Sequence, residues 1–379
     1  MSYLRLDEVC NLKMGQSPDS GSYNQERDGI PFFQGNADFG EMHPVTRTWC
    51  NNPTKVVDKG TLLISVRAPI GALNFAVEKS CIGRGLAGIT AKNEYDLKYI
   101  YYALKYKNRE LKDKGTGSTF KAISKSTLGK VLIRDMTIEN QRECIKRLDL
   151  IYKIFVLKKE KIRQYDELIK SRFVEMFGDP VKNQHGYPLV SLSEYIDFLT
   201  SGSRGWAKYC VDDGDEWFIT IKNVKNCRIT TENMQSVHAP KNAEAQRTRV
   251  QEGDLLISIT ADLGRTGVVS KEIANHGAYI NQHLSCIRLK KGKLLPLYVA
   301  YFMESPAGKM QFFTKNQSAV KAGLNFDSIK SLRLLAPPIK LQENFVSFID
   351  EIDKSKFATQ KALTETQQLF DSLMQKYFG

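Results

Sequence analysis

Three segments of the 379-residue chain carry residue types and spacings that could do chemistry. Gly83-Arg84-Gly85-Leu86-Ala87-Gly88 has the glycine spacing of a dinucleotide-binding turn, where backbone must approach a pyrophosphate closely. That use needs a helix opening on the glycines, whereas Ile89-Thr90 reads as strand. Glu110-Leu111-Lys112 has the E-x-K order of a nuclease, but it falls at the end of a predicted helix with no suitable Pro-Asp pair upstream. Asn51-Asn52-Pro53-Thr54 begins like a methyl-transfer loop and lacks its second proline and its aromatic residue. No lysine follows a glycine spacing suited to a P-loop, which argues against an ATP-driven motor. The histidines (His43, His185, His238, His276, His283) have no metal-ligand spacing, and the seven cysteines never form C-x-x-C. We therefore expect no catalytic residues, no metal and no cofactor, and we read the cysteines as reduced thiols, most of them buried.

The elements that would position any site occur twice. Gly60-Thr61-Leu62-Leu63-Ile64-Ser65 returns as Gly253-Asp254-Leu255-Leu256-Ile257-Ser258, and each copy continues through a shared alanine (Ala68, Ala261) to a shared glycine (Gly71, Gly264). The echo runs on in order through Tyr99 and Tyr298, Lys121-Ala122 and Lys321-Ala322, Gln141 and Gln342, and Phe177-Gly178 and Phe378-Gly379. A period near 200 residues is too long for a solenoid and marks a duplicated domain-sized unit. Alternating runs such as Tyr3-Leu4-Arg5-Leu6 and Leu189-Val190-Ser191-Leu192 predict strands, as do the apolar segments Thr61 to Val66 and Asp254 to Ile259. A helix is predicted after each, over Leu97 to Lys107 and Leu297 to Met303, then a polar loop and a final strand.

Each copy ends in a charged segment of about 40 residues without glycine or proline before the final Phe-Gly. Apolar residues recur there at steps of three and four, including Leu148, Phe155, Ile162 and Ile169 in the first copy and Ile349, Phe357, Leu363 and Phe370 in the second. This is the pattern of an amphipathic helix with a coiled-coil-like seam, interrupted by Lys158-Lys159 and softened by Asp353 and Gln360. The expected order is a globular domain over 1–137, a helix over 138–180, a second globular domain over 181–338 and a second helix over 339–379. If a two-fold axis relates the copies, the helices run antiparallel, as a rod holding the domains apart.

The net charge of +13 supplies the salt-sensitive attraction to phosphate on which nucleic-acid binding rests. Residues 138–178 hold ten Lys/Arg against seven Asp/Glu and residues 339–379 five against six, so about +11 lies outside the predicted helices. Base edges are read by Arg, Lys, Asn, Gln and Ser displayed on a scaffold. The candidates in the first copy are Gln16, Ser17, Arg67, Arg84 and Lys121, with Ser203, Arg204, Arg265, Gln282 and Lys321 in the second. Lys121 and Lys321 stand out because the Lys-Ala pair recurs within otherwise altered loops. No 18 apolar residues are consecutive, and the start of the chain lacks a signal-peptide pattern, so a soluble cytoplasmic protein is expected.

Over its whole length the chain resembles the specificity subunits of type I restriction-modification systems. The resemblance rests on the repeated architecture, on Leu62-Leu63-Ile64-Ser65-Val66-Arg67-Ala68-Pro69-Ile70-Gly71 with its echo Leu255 to Gly264, on Gly115 to Ser124, and on the helix openings Ile138-Glu139-Asn140-Gln141 and Ile339-Lys340-Leu341-Gln342. The second copy departs from the first where Gln317 to Asn325 replaces Gly117 to Ser124, and where Thr260 stands in place of Arg67. The resemblance implies an α+β fold of two pseudo-two-fold-related mixed α/β target-recognition domains separated by an antiparallel pair of long helices. It further implies a non-catalytic subunit that reads a bipartite double-stranded DNA site, one half per domain. Such a subunit brings two methyltransferase subunits to that site and, through them, the restriction subunits. The residues alone leave a second class open, a basic two-domain adaptor binding RNA or an acidic protein.

Overall fold

The computed structural model describes residues 2–92, 94–116, 121–202, 204–317 and 323–379. They form two compact units, Met1–Lys159 with Lys361–Gly379, and Glu160–Gln360.

The first unit is built on a four-stranded antiparallel sheet of β1 (Cys10–Met14), β2 (Leu62–Ser65), β3 (Leu73–Phe75) and β4 (Leu86–Ala91), in the order β1-β4-β2-β3. Strand alternation sends successive side chains to opposite faces. Leu12, Leu62, Ile64, Ala87 and Ile89 pack with the helix α1 (Leu97–Tyr106), while Leu63 and Leu86 pack on the other face with Phe33, Val57 and Ile82. Where β2 and the start of β4 are covered on both faces the strands need near-continuous apolar residues, which explains the Leu-Leu-Ile run. A smaller five-stranded sheet of Tyr23–Asn24, Trp49–Cys50, Ile30–Phe33, Ser80–Ile82 and Val56–Val57 lies beyond it.

The second unit repeats the layout with additions. Its six-stranded sheet contains β5 (Ile196–Ser201), β6 (Val224–Lys225), β7 (Cys227–Ile229), β8 (Leu255–Ser258), β9 (Thr266–Val268) and β10 (Leu284–Leu289), in the order β5-β10-β8-β9-β7-β6. The first four strands reproduce the order and antiparallel pairing of the first unit, and β7 joins β9 in parallel. Two helices used below are α3 (Ala243–Thr248) and α4 (Pro296–Glu304). A three-stranded sheet joins Gln235–Val237, Glu216–Ile219 and Ala278–Ile280. One expectation fails: the polar segment predicted as a loop after α4 is helical over Pro306–Gln317. Phe312, with 2% exposure, anchors it to the core with help from Ala307, while its apolar neighbours Met310 and Phe313 are exposed, so the segment shows no apolar face in sequence.

The long helices are α2 (Ile138–Phe177) and α5 (Ile339–Phe378), 40 residues each. In the first unit the early half of α2 runs antiparallel to the late half of α5, with Tyr152 beside Phe370 and Lys158 beside Ala362 and Thr366. In the second unit Asp166 pairs with Lys356 at 2.5 Å and Phe173 stacks edge-on to Phe345, again antiparallel. Leu148, Ile169, Ile349, Leu363 and Phe370 are buried, and Phe155 and Ile162 are half-buried. The lysine that interrupts the first seam is accommodated by its own acceptors, the Ala362 carbonyl and the Thr366 hydroxyl, both at 2.9 Å. Phe357 departs from the expected seam, being 74% exposed.

A pair of buried glutamines explains why the helix openings recur. Gln141 accepts from the Asp96 amide through Oε1 at 2.8 Å and donates through Nε2 to the carbonyls of Glu94 and Met136. Gln342 does the same with the Leu295 amide and the carbonyls of Lys293 and Pro337. Each glutamine thus clasps the start of a long helix to the segment before α1 or α4. A repeated tyrosine adds a second tie, Tyr99 donating to the Arg134 carbonyl and Tyr298 to that of Leu335.

All seven cysteines are free thiols, and Cys210 alone among them is half-buried, the rest being buried. Burial pushes the Cys10 and Cys144 thiols up to about 12, against about 8.5 for a free thiol. Native protein treated with a thiol reagent at pH 8 is expected to give at most one slow reaction per chain, and seven after denaturation. Because the folded thiols hold their protons more tightly than the unfolded ones, they support stability below pH ~8.5 and cease to do so as pH rises toward 12. Several fast-reacting thiols in the native state would contradict this burial.

Candidate nucleic-acid interface

Because β4 is antiparallel to both β1 and β2, the ends of β1 and β2 and the start of β4 meet at one edge of the first sheet. Gln16 and Ser17 follow β1, Arg67 follows β2, and Arg84 precedes β4. Lys121 joins them, since its carbonyl accepts from the Ala68 amide and Arg67 bridges Ala122. All five first-copy candidates therefore share one edge. Gln16, Arg67, Arg84 and Lys121 are exposed, and among the described residues the side chains of the three cations have no ion-pair or hydrogen-bond partner.

The edge depends on close backbone approach. A Cβ on Gly15 would lie 2.2 Å from the Gly83 carbonyl oxygen, and one on Gly85 would lie 2.3 Å from that of Gln34. Hydrogen bonds from Gly15 to Leu86 and from Gln16 to Ile82 fix the crossing. The glycines of the Gly83–Gly88 string thus serve strand crossings, and a strand, not a helix, follows them.

The second sheet builds the same edge by the same bonds. Gly202 donates to Leu284 as Gly15 does to Leu86, and its Cβ would lie 2.0 Å from the Asn281 carbonyl oxygen. Ile259 donates to the His283 carbonyl as Val66 does to that of Gly85. By this register Arg204 stands in the place of Ser17, Gln282 in that of Arg84, His283 in that of Gly85 and Thr260 in that of Arg67. Arg265 does not match Arg67: its amide donates to the Ser258 hydroxyl as the Ala72 amide donates to that of Ser65, and its guanidinium pairs with Asp262. Ser203 and Lys321 lie outside the described residues. Leu324 bonds to Ile259 as Ile123 bonds to Val66, an offset of 201, whereas the two Lys-Ala pairs are offset by 200.

Two residues at the second edge, His283 and Arg247, escaped the sequence reading, and Thr260 was matched to Arg67 without being named as a candidate. His283 meets the Thr260 hydroxyl at 2.6 Å through Nδ1 and the Gln282 amide at 3.2 Å through Nε2. With that amide donating, Nδ1 carries the proton and donates to Thr260. Arg247 on α3 reaches back to the Ser201 carbonyl at 2.9 Å and to the Thr200 hydroxyl. Thr260 and His283 are found by aligning the copies residue by residue, but α3 has no counterpart in the first copy and left no repeat to follow.

The enzyme-like motifs hold the structure together. Glu110 is ion-paired with Lys114 at 2.5 Å and Lys107 at 3.6 Å; burial raises its pKa, and the two lysines outweigh that and leave it below the usual range. Asn51 donates to Asp28 and Thr54 to the Gln16 carbonyl. Among the described residues, no group of three or more His, Cys, Asp or Glu is placed to hold a metal, and no helix is long and apolar enough to cross a membrane.

Two sheets presenting strand-end edges built by the same bonds, in units that each clasp the start of a long helix with a buried glutamine, define a duplicated protein. The model of the type I restriction modification DNA specificity domain matches residues 1–165 and 212–368, and the chain belongs to that family. It is similar to the type I restriction enzyme MjaX specificity subunit of Methanocaldococcus jannaschii, 43% identical over 165 residues, a match covering 43% of this chain and 39% of that relative. The EcoBI specificity subunit of Escherichia coli is 19% identical over 415 residues, covering all of this chain and 85% of that one. In fold the chain is similar to the type I system S subunit of M. genitalium, with a TM-score of 0.61 at 15% identity and coverage of 100% and 96%. A chain from a structure on complex assembly and conformational transition of the type I R-M system gives 0.61 at 18% identity, with coverage of 100% and 97%.

Proposed function

We propose that the chain is the non-catalytic DNA-recognition subunit of a type I restriction-modification complex, reading a bipartite asymmetric site with one half-site per unit. The observation that carries this reading is the pair of equivalent strand-end edges with divergent side chains. Gln16, Arg67, Arg84 and Lys121 present one set of donors, and Arg204, Thr260 and Gln282 present another. A common frame with different reading groups suits two different half-sites. Unpaired Arg and Gln can make bidentate contacts to guanine or adenine, while lysines neutralise phosphates.

Recruitment of methyltransferase subunits, and of restriction subunits through them, belongs to the same proposal. Its support is an outward stripe on α2, where Leu150 and Leu157 are 60% and 58% exposed and Ile154 lies between them. Spacings of four and three residues put these side chains on one helix face, the form of a helix-in-groove contact.

Selection of bound duplex from a random pool by the assembled complex should return two short defined sequences around an undefined spacer. On that duplex, Arg67→Ala or Arg84→Ala should cost about 1–3 kcal/mol and relax one position of the same half-site, whereas Lys121→Ala should weaken all sequences and lower the salt slope by about one unit. Selection of a single contiguous motif would overturn the bipartite reading. Retention of single-stranded RNA in preference to duplex DNA would favour the adaptor class.

A further inference from the structure

The two sheets differ on their outer faces. In the second copy that face is covered. Thr200, opposite Cys286 on β10, accepts a hydrogen bond from Arg247 of α3, and Arg288 lies over the Phe198 ring at 5.2 Å while binding the fully buried Asp254. The strand register matches Thr200 to Lys13, Phe198 to Asn11, Arg288 to Thr90 and Asp254 to Thr61. In the first copy these positions line an open groove of about 560 Å³, bounded by Lys13, Lys55, Lys125 and Asp58.

The groove is cationic and adjoins the recognition edge. All three lysines are exposed, and among the described residues none is in a salt bridge; the Lys13 ammonium donates only to the Val56 carbonyl, at 2.8 Å. Asp58 is the single acidic residue in the lining, leaving an excess of two positive charges. The rim is tied directly to the edge, because the Thr54 hydroxyl donates to the Gln16 carbonyl at 2.6 Å. Lys125, also in the lining, opens the helix that follows the Lys121 segment. Gly88 forms part of the floor, where a Cβ would come within 2.7 Å of Val57.

We propose that this groove holds the sugar-phosphate backbone of duplex flanking the half-site read by the first unit, and that the second unit has no equivalent contact. The inference rests on the DNA-recognition reading and deepens it. Three exposed lysines around an open groove match phosphate oxygens spaced along a strand, and the groove begins where a duplex seated on Gln16 would leave the edge. The first half-site is therefore held with more flanking contact and a steeper salt dependence than the second.

The test compares two probes bearing the selected site, one with about a turn of duplex beyond the first half-site and one trimmed at its border, bound by the assembled complex carrying wild-type chain or Lys13→Gln/Lys55→Gln/Lys125→Gln. With about 0.9 unit of salt slope per phosphate neutralised, the variant should lose about two to three units on the long probe. Its affinity for that probe should fall at least tenfold at low salt, with base preference and trimmed-probe binding unchanged. Lys125→Gln alone should give about one unit, so the test survives if the triple variant proves unstable. Equal loss on both probes, or none, overturns the groove while leaving base recognition standing. Unchanged DNA binding with loss of retained polyglutamate identifies an acidic protein as occupant and also overturns it. Failure of the wild-type complex to select any duplex overturns both readings.

Discussion

Adding methyltransferase subunits to the purified chain should carry adenine methylation of the selected duplex from background to a level about 10³-fold above that of those subunits alone, the usual margin of specific over non-specific binding. The chain by itself should transfer no labelled methyl group from S-adenosylmethionine. The motifs that come nearest to catalysis are already occupied, Glu110 by two lysines and Asn51 by Asp28. Leu150→Asp with Leu157→Asp should abolish the stimulation and leave the chain folded, because both side chains are more than half exposed. Methylation by the chain alone would refute the assignment. Full stimulation by the double variant would move the docking face elsewhere.

The largest expected loss of stability comes from Asp254→Ala. This carboxylate is fully buried and accepts from Arg288 at 2.8 and 2.7 Å and from the Gln251 amide at 2.7 Å. Its removal strands a guanidinium and an amide, at a cost of about 3 kcal/mol, moderated because Arg288 reaches solvent. For a unit of this size that lowers the melting temperature by roughly 6–12 °C. Asp254→Thr with Arg288→Thr installs the residues of the first copy, Thr61 and Thr90, and should recover most of the loss by removing both charges together. Calorimetry giving less than a 2 °C drop for Asp254→Ala would show the pair to be dispensable.

The sequence disclosed what repeats. The Leu-Leu-Ile-Ser strands, the helices after them, the 40-residue helices and the gathering of the first-copy candidates at one edge were legible because two copies of one frame report the same constraint twice. Gln141 and Gln342 were seen as recurrent but not as clasps, since their acceptors are carbonyls that any sequence supplies. Features of one copy alone were the ones missed. The helix α3, the helical Pro306–Gln317 and the covering pair Asp254–Arg288 depend on tertiary contacts that leave no period. Arg265 was credited with a reading role from its position near the edge, and the backbone register puts it instead in the place of Ala72, with its charge held by Asp262.

On the proposed reading, stability and specificity reside on disjoint sets of residues. The frame is held by backbone amides, the Ser65 and Ser258 hydroxyls and the buried glutamines, and none of these faces outward from the edge. The proposed reading positions 16, 67 and 84 are exposed, so exchanges there cost little in folding, usually within about 0.5 kcal/mol. A lineage carrying this frame can therefore drift from one target sequence to another through a series of folded intermediates. A laboratory library randomised at those three positions should consist mainly of foldable proteins, so that selection acts on base preference instead of survival of the fold.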